Sequence, residues 1–317
     1  MRILITGITG FAGGHLAEAL LARGGVELFG VSRRGDWPSE LRHLADRAEL
    51  YPCDLGDRDA IDAILRRTNP EQIYHLAGYA NPRRSFQESD AAWAGNLTAT
   101  RRLYEAINQG GKRPRVLFVG SGMVYGDAET AGQIVDENRP VRPASPYAAS
   151  KAAADLLSSW SVPPLDIIRV RPFNHIGPRQ APDYAIANFA RQLAAIEHGR
   201  QPPVVETGNL TSRRDLTDVR DLVQAYILLM EHGRSGDVYN AGSGVTYSIQ
   251  DVLDRLIALA RVRVEVRQQP ERMRAGEPMV SAADAGKLQR QTGWQRRFSL
   301  DQTLADTLEY WRKVLSP

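Results

Sequence analysis

The stretch RILITGITGFAGGHLAEALL, residues 2–21, passes from a β-type run through three spaced glycines into a helical pattern. Gly7, Gly10 and Gly13 therefore stand where a first strand turns into a first helix. Glycine lets backbone approach a bulky anion closely, and a helix N-terminus offers unpaired N–H groups with a partial positive charge. The spacing is G-x-x-G-x-x-G, a variant of the pyrophosphate-binding turn of dinucleotide folds. Such a turn also occurs for packing alone, so its meaning depends on the rest of the chain.

Beyond it, short apolar runs alternate with longer helical patterns. Strands are expected at 2–6, 26–32, 49–53, 72–77, 115–120 and 165–171, with helices near 12–23, 57–67, 86–108 and 146–160. This βαβ alternation predicts an α/β fold built on a doubly wound parallel sheet of Rossmann type. After Arg171 the pattern changes to a Pro/Gly-punctuated turn, PFNHIGP (172–178). Helices near 183–199, 218–232, 248–261 and 299–315 come next, with a short strand in DVYNAG (237–242) and another near 262–267. The expected division is a dinucleotide-binding domain of residues 1–172 and 216–243, and a smaller α/β C-terminal substrate-binding lobe of 173–215 and 244–317.

The 317 residues, 43% hydrophobic and 24% charged, suffice for a large core. The 40 basic and 37 acidic residues are interspersed with no long basic run, so no nucleic-acid partner is expected. Apolar runs such as AYILLM (225–230) fall far short of the roughly 20 residues that cross a bilayer, so no membrane association is expected. The opening MRILITG enters a strand directly, without a leader pattern. Cys53 is the only cysteine, which rules out an internal disulfide framework and suits the reducing cytoplasm. The six histidines (15, 43, 75, 175, 198, 232) lack metal-ligand spacing, so no metal site is expected.

The second strand ends VSRRGDW (31–37). An NAD site usually places an acidic side chain at this point, to hold the ribose 2′-OH. Ser32, Arg33 and Arg34 stand there instead, and guanidinium groups suit a 2′-phosphate. NADPH is thus the expected cofactor, with NADH possible. Asp54, just past the third strand, has two readings: a contact to the adenine amine, or a turn residue. SPYAASKAAADLL (145–157) sets Tyr147 and Lys151 one helical turn apart. A phenol of ordinary pKa is a poor acid–base group at neutral pH, and a neighbouring ammonium is expected to bring it toward the working range. FVGSGMVYG (118–126) places Ser121 at the end of a buried strand.

TGITGFAG, HLAG (75–78), Asn96 in GNLTAT, SGMVYG, YAASK, RPFNHIGP, RRDLTDVRD and RMRAGE succeed one another along nearly the whole chain. In that order they resemble the extended short-chain dehydrogenase/reductases that modify nucleotide sugars. The resemblance implies Ser121, Tyr147 and Lys151 as catalytic triad, with Tyr147 and Lys151 also touching the cofactor. It implies a cofactor site of Gly7, Thr9, Gly10, Phe11, Gly13, Ser32, Arg33, Asp54, Leu55, Leu76, Ala77 and Gly78. Asn96 matches a buried helix asparagine of structural or proton-relaying role, and the family often forms homodimers.

The C-terminal half, with RPFNHIGPRQ, GNLTSRRDLTDVRDLVQAYILL and GDVYNAGSG, is similar to the branch that reduces GDP-4-keto-6-deoxy-D-mannose to GDP-D-rhamnose. That similarity implies Asn174, Arg214 and Arg274 at the diphosphate and nucleotide, Glu277 among the other substrate-binding residues, and Ser85 and Ser121 at the sugar. Sugar 4,6-dehydratases of the family carry a glutamate two residues after the triad serine or threonine. Met123 stands there, and a thioether has no basicity for proton abstraction. Reduction is therefore expected and dehydration disfavoured. The alternative is a nucleotide-sugar 4-epimerase with tightly held NAD, against which Arg33 argues.

Overall fold

Period-two burial along the first strand sets the architecture. In β1 (Arg2–Thr6), Ile3 and Ile5 pack to one side and Leu4 to the other, so both faces of the strand are covered. A computed structural model describes residues 1–126, 133–269 and 282–316. Around β1 lie β2 (Glu27–Ser32), β3 (Ala48–Pro52), β4 (Gln72–His75), β5 (Arg115–Val119), β7 (Asp166–Pro172) and β11 (Val238–Ala241). They form a seven-stranded, wholly parallel sheet in the order β3-β2-β1-β4-β5-β7-β11. The order reverses between β1 and β4, and a crevice outside the carboxyl ends of such strands is where doubly wound sheets bind ligands.

Helices α1 (Phe11–Arg23), α7 (Val219–His232) and α9 (Gly286–Thr292) supply Leu16, Leu222 and Leu288 to the core on the Ile3 face. Helices α2 (Arg58–Thr68), α4 (Ala99–Gln109) and α5 (Pro146–Trp160) supply Ile61, Leu103 and Ala154 to the Leu4 face. A separate core joins α6 (Ala185–Glu197), α8 (Ile249–Leu259) and α10 (Leu300–Val314) through Leu193, Leu253 and Leu304. Beside it lie a three-stranded sheet of β8 (Asn174–Ile176), β10 (Arg213–Asp218) and β12 (Thr246–Ser248), and the parallel pair β9 (Val204–Thr207) and β13 (Glu265–Gln268). A two-residue parallel ladder pairs β6 (Ile134–Val135) with β14 (Ala282–Ala283).

Three features depart from the sequence reading. The continuous helix expected over 86–108 is broken into α3 (Ser89–Trp93), a π turn at Ala94–Thr98, and α4. The turn lets Gly95 pass so close to Tyr79 that a β-carbon would stand 3.1 Å from the Tyr79 nitrogen. β8 forms inside PFNHIGP, where only a turn was expected. Residues 285–294, assigned by the sequence to the second lobe, pack into the first core instead. Ala285, Leu288 and Trp294 are buried there, and Trp294 Nε1 donates to the Asp221 carbonyl on α7 at 2.9 Å. Among the described residues, no helix is long and apolar enough to cross a membrane, and no group of His, Cys, Asp and Glu could hold a metal ion.

Candidate active site

The glycine turn is shaped by the atoms it excludes. Gly7 sits at φ 76°, and a β-carbon on it would stand 2.9 Å from the Ala77 nitrogen. A β-carbon on Gly13 would overlap the Gly7 carbonyl oxygen. Gly7 N donates to Val31 O at 2.9 Å and Gly10 N to Gly7 O at 3.0 Å, fixing the loop between β1 and α1. Helix α1 opens at Gly10 with no capping side chain and no acidic residue in its first turn, between Thr9 and Phe11. A cradle filled by any β-carbon, at an uncapped helix N-terminus, fits a dinucleotide pyrophosphate.

Around this cradle lie the other expected cofactor residues. Ser32 ends β2 and its hydroxyl accepts from Gly35 N at 3.0 Å. Arg33 and Arg34 are exposed, and neither has an ion-pair partner among the described residues. Asp54 Oδ1 accepts from Gly56 N at 2.8 Å, which is the turn role, and Leu55 beside it is buried. Leu76 and Ala77 are half-buried after β4. A β-carbon on Gly78 would stand 2.5 Å from Asn96 Oδ1 and 3.3 Å from Lys151 Nζ, so this loop borders the triad.

Ser121 leaves β5 in extended conformation, and its hydroxyl accepts from Met123 N at 3.2 Å, starting a 3-10 turn over Gly122–Tyr125. The Ser145 hydroxyl caps α5 and Pro146 opens it, so Tyr147 and Lys151 lie one turn apart on its buried face. Burial pushes the Tyr147 phenol up to about 12, while the Ser121 side chain pulls the other way. Burial also drives Lys151 down to about 8; its Nζ donates to the Val119 carbonyl at 3.1 Å. The expected lowering of the phenol by the ammonium is thus not found: desolvation dominates, and Tyr147 keeps its proton at neutral pH.

Ser85 is fully buried, its hydroxyl donating to Pro82 O at 2.7 Å and accepting from Tyr147 N at 3.2 Å. In this arrangement it holds the first turn of α5, next to Tyr147.

Two further features complete the site. His75 stands in a directed hydrogen-bond chain: Thr100 Oγ1 donates to Asn96 O at 2.6 Å, so it accepts from His75 Nε2 at 3.0 Å. His75 Nδ1 then accepts from Thr6 Oγ1 at 2.8 Å, and Thr6 Oγ1 accepts from Ala77 N at 3.2 Å. The chain joins the Ala77 loop to the π turn, where Asn96 Nδ2 donates to Ser150 Oγ at 2.9 Å and buried Oδ1 has no partner among the described residues. The other is Tyr184, whose hydroxyl donates to Ala80 O at 2.8 Å and whose phenol lies near enough to Tyr147 to raise it further. His75 opens the HLAG motif, whereas no motif marks Tyr184, whose place depends on tertiary contact.

On the opposite side, Asn174 of β8 pairs with Leu216 of β10, two residues from Arg214. Arg214 Nη1 donates to the Arg213 carbonyl at 2.8 Å, whereas the Arg213 guanidinium is engaged with Thr246. His175 stacks on Phe11 at 5.7 Å between ring centres, joining this strand to the cofactor turn. Arg274 and Glu277 lie outside the described residues.

Comparison with known proteins gives consistent matches. The family model described as GDP-mannose 4,6 dehydratase matches residues 4–307. A GDP-6-deoxy-D-mannose reductase of Pseudomonas aeruginosa is 33% identical over 313 residues, spanning 98% of this chain and 97% of its own. The solved structure of RMD from Pseudomonas aeruginosa complexed with NADPH superposes with a TM-score of 0.85 at 31% identity, covering 99% of this chain and 100% of that one. A Thermus thermophilus UDP-glucose 4-epimerase in complex with NAD superposes with a TM-score of 0.87 at 28% identity, covering 99% and 100%.

Proposed function

The chain belongs to the GDP-mannose 4,6-dehydratase family of extended short-chain dehydrogenase/reductases, and we propose that it is an NADPH-dependent reductase of a nucleotide-linked 4-keto-6-deoxyhexose. The substrate we assign is GDP-4-keto-6-deoxy-D-mannose, giving GDP-D-rhamnose, on the similarity to the Pseudomonas aeruginosa reductase. The observation that carries the reading is the Tyr147 phenol, buried and in hydrogen-bond reach of Ser121. A group that holds its proton at neutral pH is suited to donate it to an oxygen that gains negative charge.

NADPH, when bound at the glycine cradle, supplies a hydride for C4. Tyr147 hands its proton to the developing alkoxide, and the Ser121 hydroxyl stabilises that charge. Lys151, whose pKa burial lowers to about 8, is the residue of the triad we assign to restoring the phenol proton. Gly7, Thr9, Gly10, Phe11 and Gly13 hold the pyrophosphate, and Ser32 and Arg33 the 2′-phosphate. Asp54, Leu55, Leu76, Ala77 and Gly78 flank the adenosine and ribose. Asn174, Arg214 and Arg274 hold the substrate diphosphate and nucleotide, and Glu277 belongs to the same substrate site. Met123 supports reduction over dehydration, because its thioether cannot take the C5 proton.

In this reading the parallel sheet is the cofactor domain and the Leu193–Leu253–Leu304 core supports the sugar-nucleotide lobe. We further propose a homodimer through α5, whose outward stripe of Ala149, Ala153, Leu156 and Trp160 is wholly apolar; Leu156 is 60% and Trp160 83% exposed. A cytoplasmic location suits both NADPH and the lone Cys53 thiol, which burial pushes up to about 11.

The Thermus thermophilus relative favours a second reading, a 4-epimerase retaining NAD. The absorbance of the purified protein separates the two. Tightly retained NAD, with no NADPH oxidation on any 4-keto nucleotide sugar, would establish the epimerase. Oxidation with a dTDP- or UDP-linked ketone alone would keep the reductase and overturn GDP.

A further inference from the structure

Among the described residues, two non-glycine residues take a positive φ: Asn69 at 44° and Arg179 at 73°. Asn69 closes α2, a position where asparagine is an ordinary left-handed cap. Arg179 closes no helix, and glycine in its place would be unstrained. Glycine would lack only the side chain. Arg179 Nη1 and Nη2 each donate to Glu18 on α1 at 2.6 Å, a bidentate ion pair. Nη2 also donates to His15 Nδ1 at 2.8 Å. His15 Nε2 in turn donates to the Pro178 carbonyl at 3.0 Å, so the imidazole carries its proton on Nε2 and accepts on Nδ1. Burial and the Arg179 charge push His15 down to about 4, which keeps it in that neutral form.

The two tied elements face the two halves of the chemistry. Helix α1 begins at Gly10, in the cofactor cradle. Pro178 and Arg179 come just after β8, which carries Asn174. Between them Phe11 stacks on His175 and meets His15 edge-on, at 5.7 and 5.6 Å between ring centres. A β-carbon on Gly177 would stand 3.9 Å from Phe11 Cζ, so the strand end rests on that ring.

We propose that Arg179 is a positioning residue that locks the strand carrying Asn174 to the helix that receives the cofactor, and so sets the separation of hydride donor and acceptor. The role of Asn174 here rests on the reductase reading. The clamp itself does not. Arg179 touches neither reacting atom; it acts through α1 and β8. The strained backbone is retained because only a long forked side chain reaches both Glu18 and His15.

The test uses Arg179→Gly, which removes the clamp and the backbone strain together, and Arg179→Lys, which keeps the charge without the fork. Hydrogen–deuterium exchange is monitored in peptides covering 7–14 and 173–181, with and without NADPH. In the wild type, cofactor should slow exchange in both. In Arg179→Gly, protection should persist at 7–14 and vanish at 173–181, with the melting temperature unchanged or raised. Single-turnover NADPH oxidation at saturating keto sugar should fall by about tenfold or more, with NADPH affinity retained and Arg179→Lys intermediate. Equal protection at 173–181 in the glycine variant, or none there in the wild type, would overturn the proposal. Coupled protection without any keto-sugar reduction by the wild type would leave the clamp standing and remove the reductase reading.

Discussion

Lys151 Nζ donates to the carbonyl of Val119, the last residue of β5, at 3.1 Å, within a site that lowers its pKa from 10.5 to about 8. Desolvation is the cause, and it has a measurable cost. The unfolded chain binds this proton up to a higher pH than the folded one. The penalty is therefore full below pH 8 and lifts as pH rises toward 10.5. Lys151→Met should raise stability at pH 7 by on the order of 3 kcal/mol, at 1.36 kcal/mol per pKa step, while turnover is lost. Denaturant melts at pH 7 and 10.5 check this; a variant no more stable at pH 7 contradicts it.

Tyr147→Phe should cost about 10²- to 10⁴-fold in turnover, the range of general acid catalysis, and leave NADPH binding intact. Reduction consumes a proton, so the wild-type rate should fall as pH rises through about 8, as Lys151 loses its charge. Stopped-flow absorbance over pH 6 to 10 would show the limb, and a flat profile would remove Lys151 from the proton path.

Arg33 is exposed at the end of β2 with no ion-pair partner among the described residues. Arg33→Glu should lower the preference for NADPH over NADH by about tenfold or more, the worth of a charge-assisted bond to a phosphate. Parallel titrations with the two cofactors measure the ratio, and an unchanged ratio shows that Arg33 is only a solvated surface group.

Trp160 is 83% exposed on the apolar stripe of α5. Trp160→Glu should convert a dimer to a monomer in light scattering without altering the far-ultraviolet spectrum. A wild type already monomeric at high concentration contradicts the dimer.

Much of this molecule is legible in sequence because the decisive positions admit few residue types. Gly7 and Gly13 are fixed by a positive φ and by backbone contact, so the cradle can be read without coordinates. The parallel sheet arises from runs buried on both faces, as in β1. The features that escape are set by tertiary contact. The π turn depends on Gly95 nearing Tyr79 and on Asn96 reaching Ser150, 54 residues away. Trp294 is drawn under α7 by a bond to Asp221, 73 residues distant. Ser85 sits beside the site in sequence terms, yet the fold buries it against Tyr147 N. The Tyr147–Lys151 spacing is visible, but burial decides how each titrates.

The most direct measurement mixes the protein with NADPH and GDP-4-keto-6-deoxy-D-mannose and identifies the sugar formed. The account predicts one NADPH oxidised per ketone consumed and GDP-D-rhamnose as product. No oxidation of NADPH with this substrate, together with interconversion of UDP-glucose and its 4-epimer on retained NAD, would contradict it.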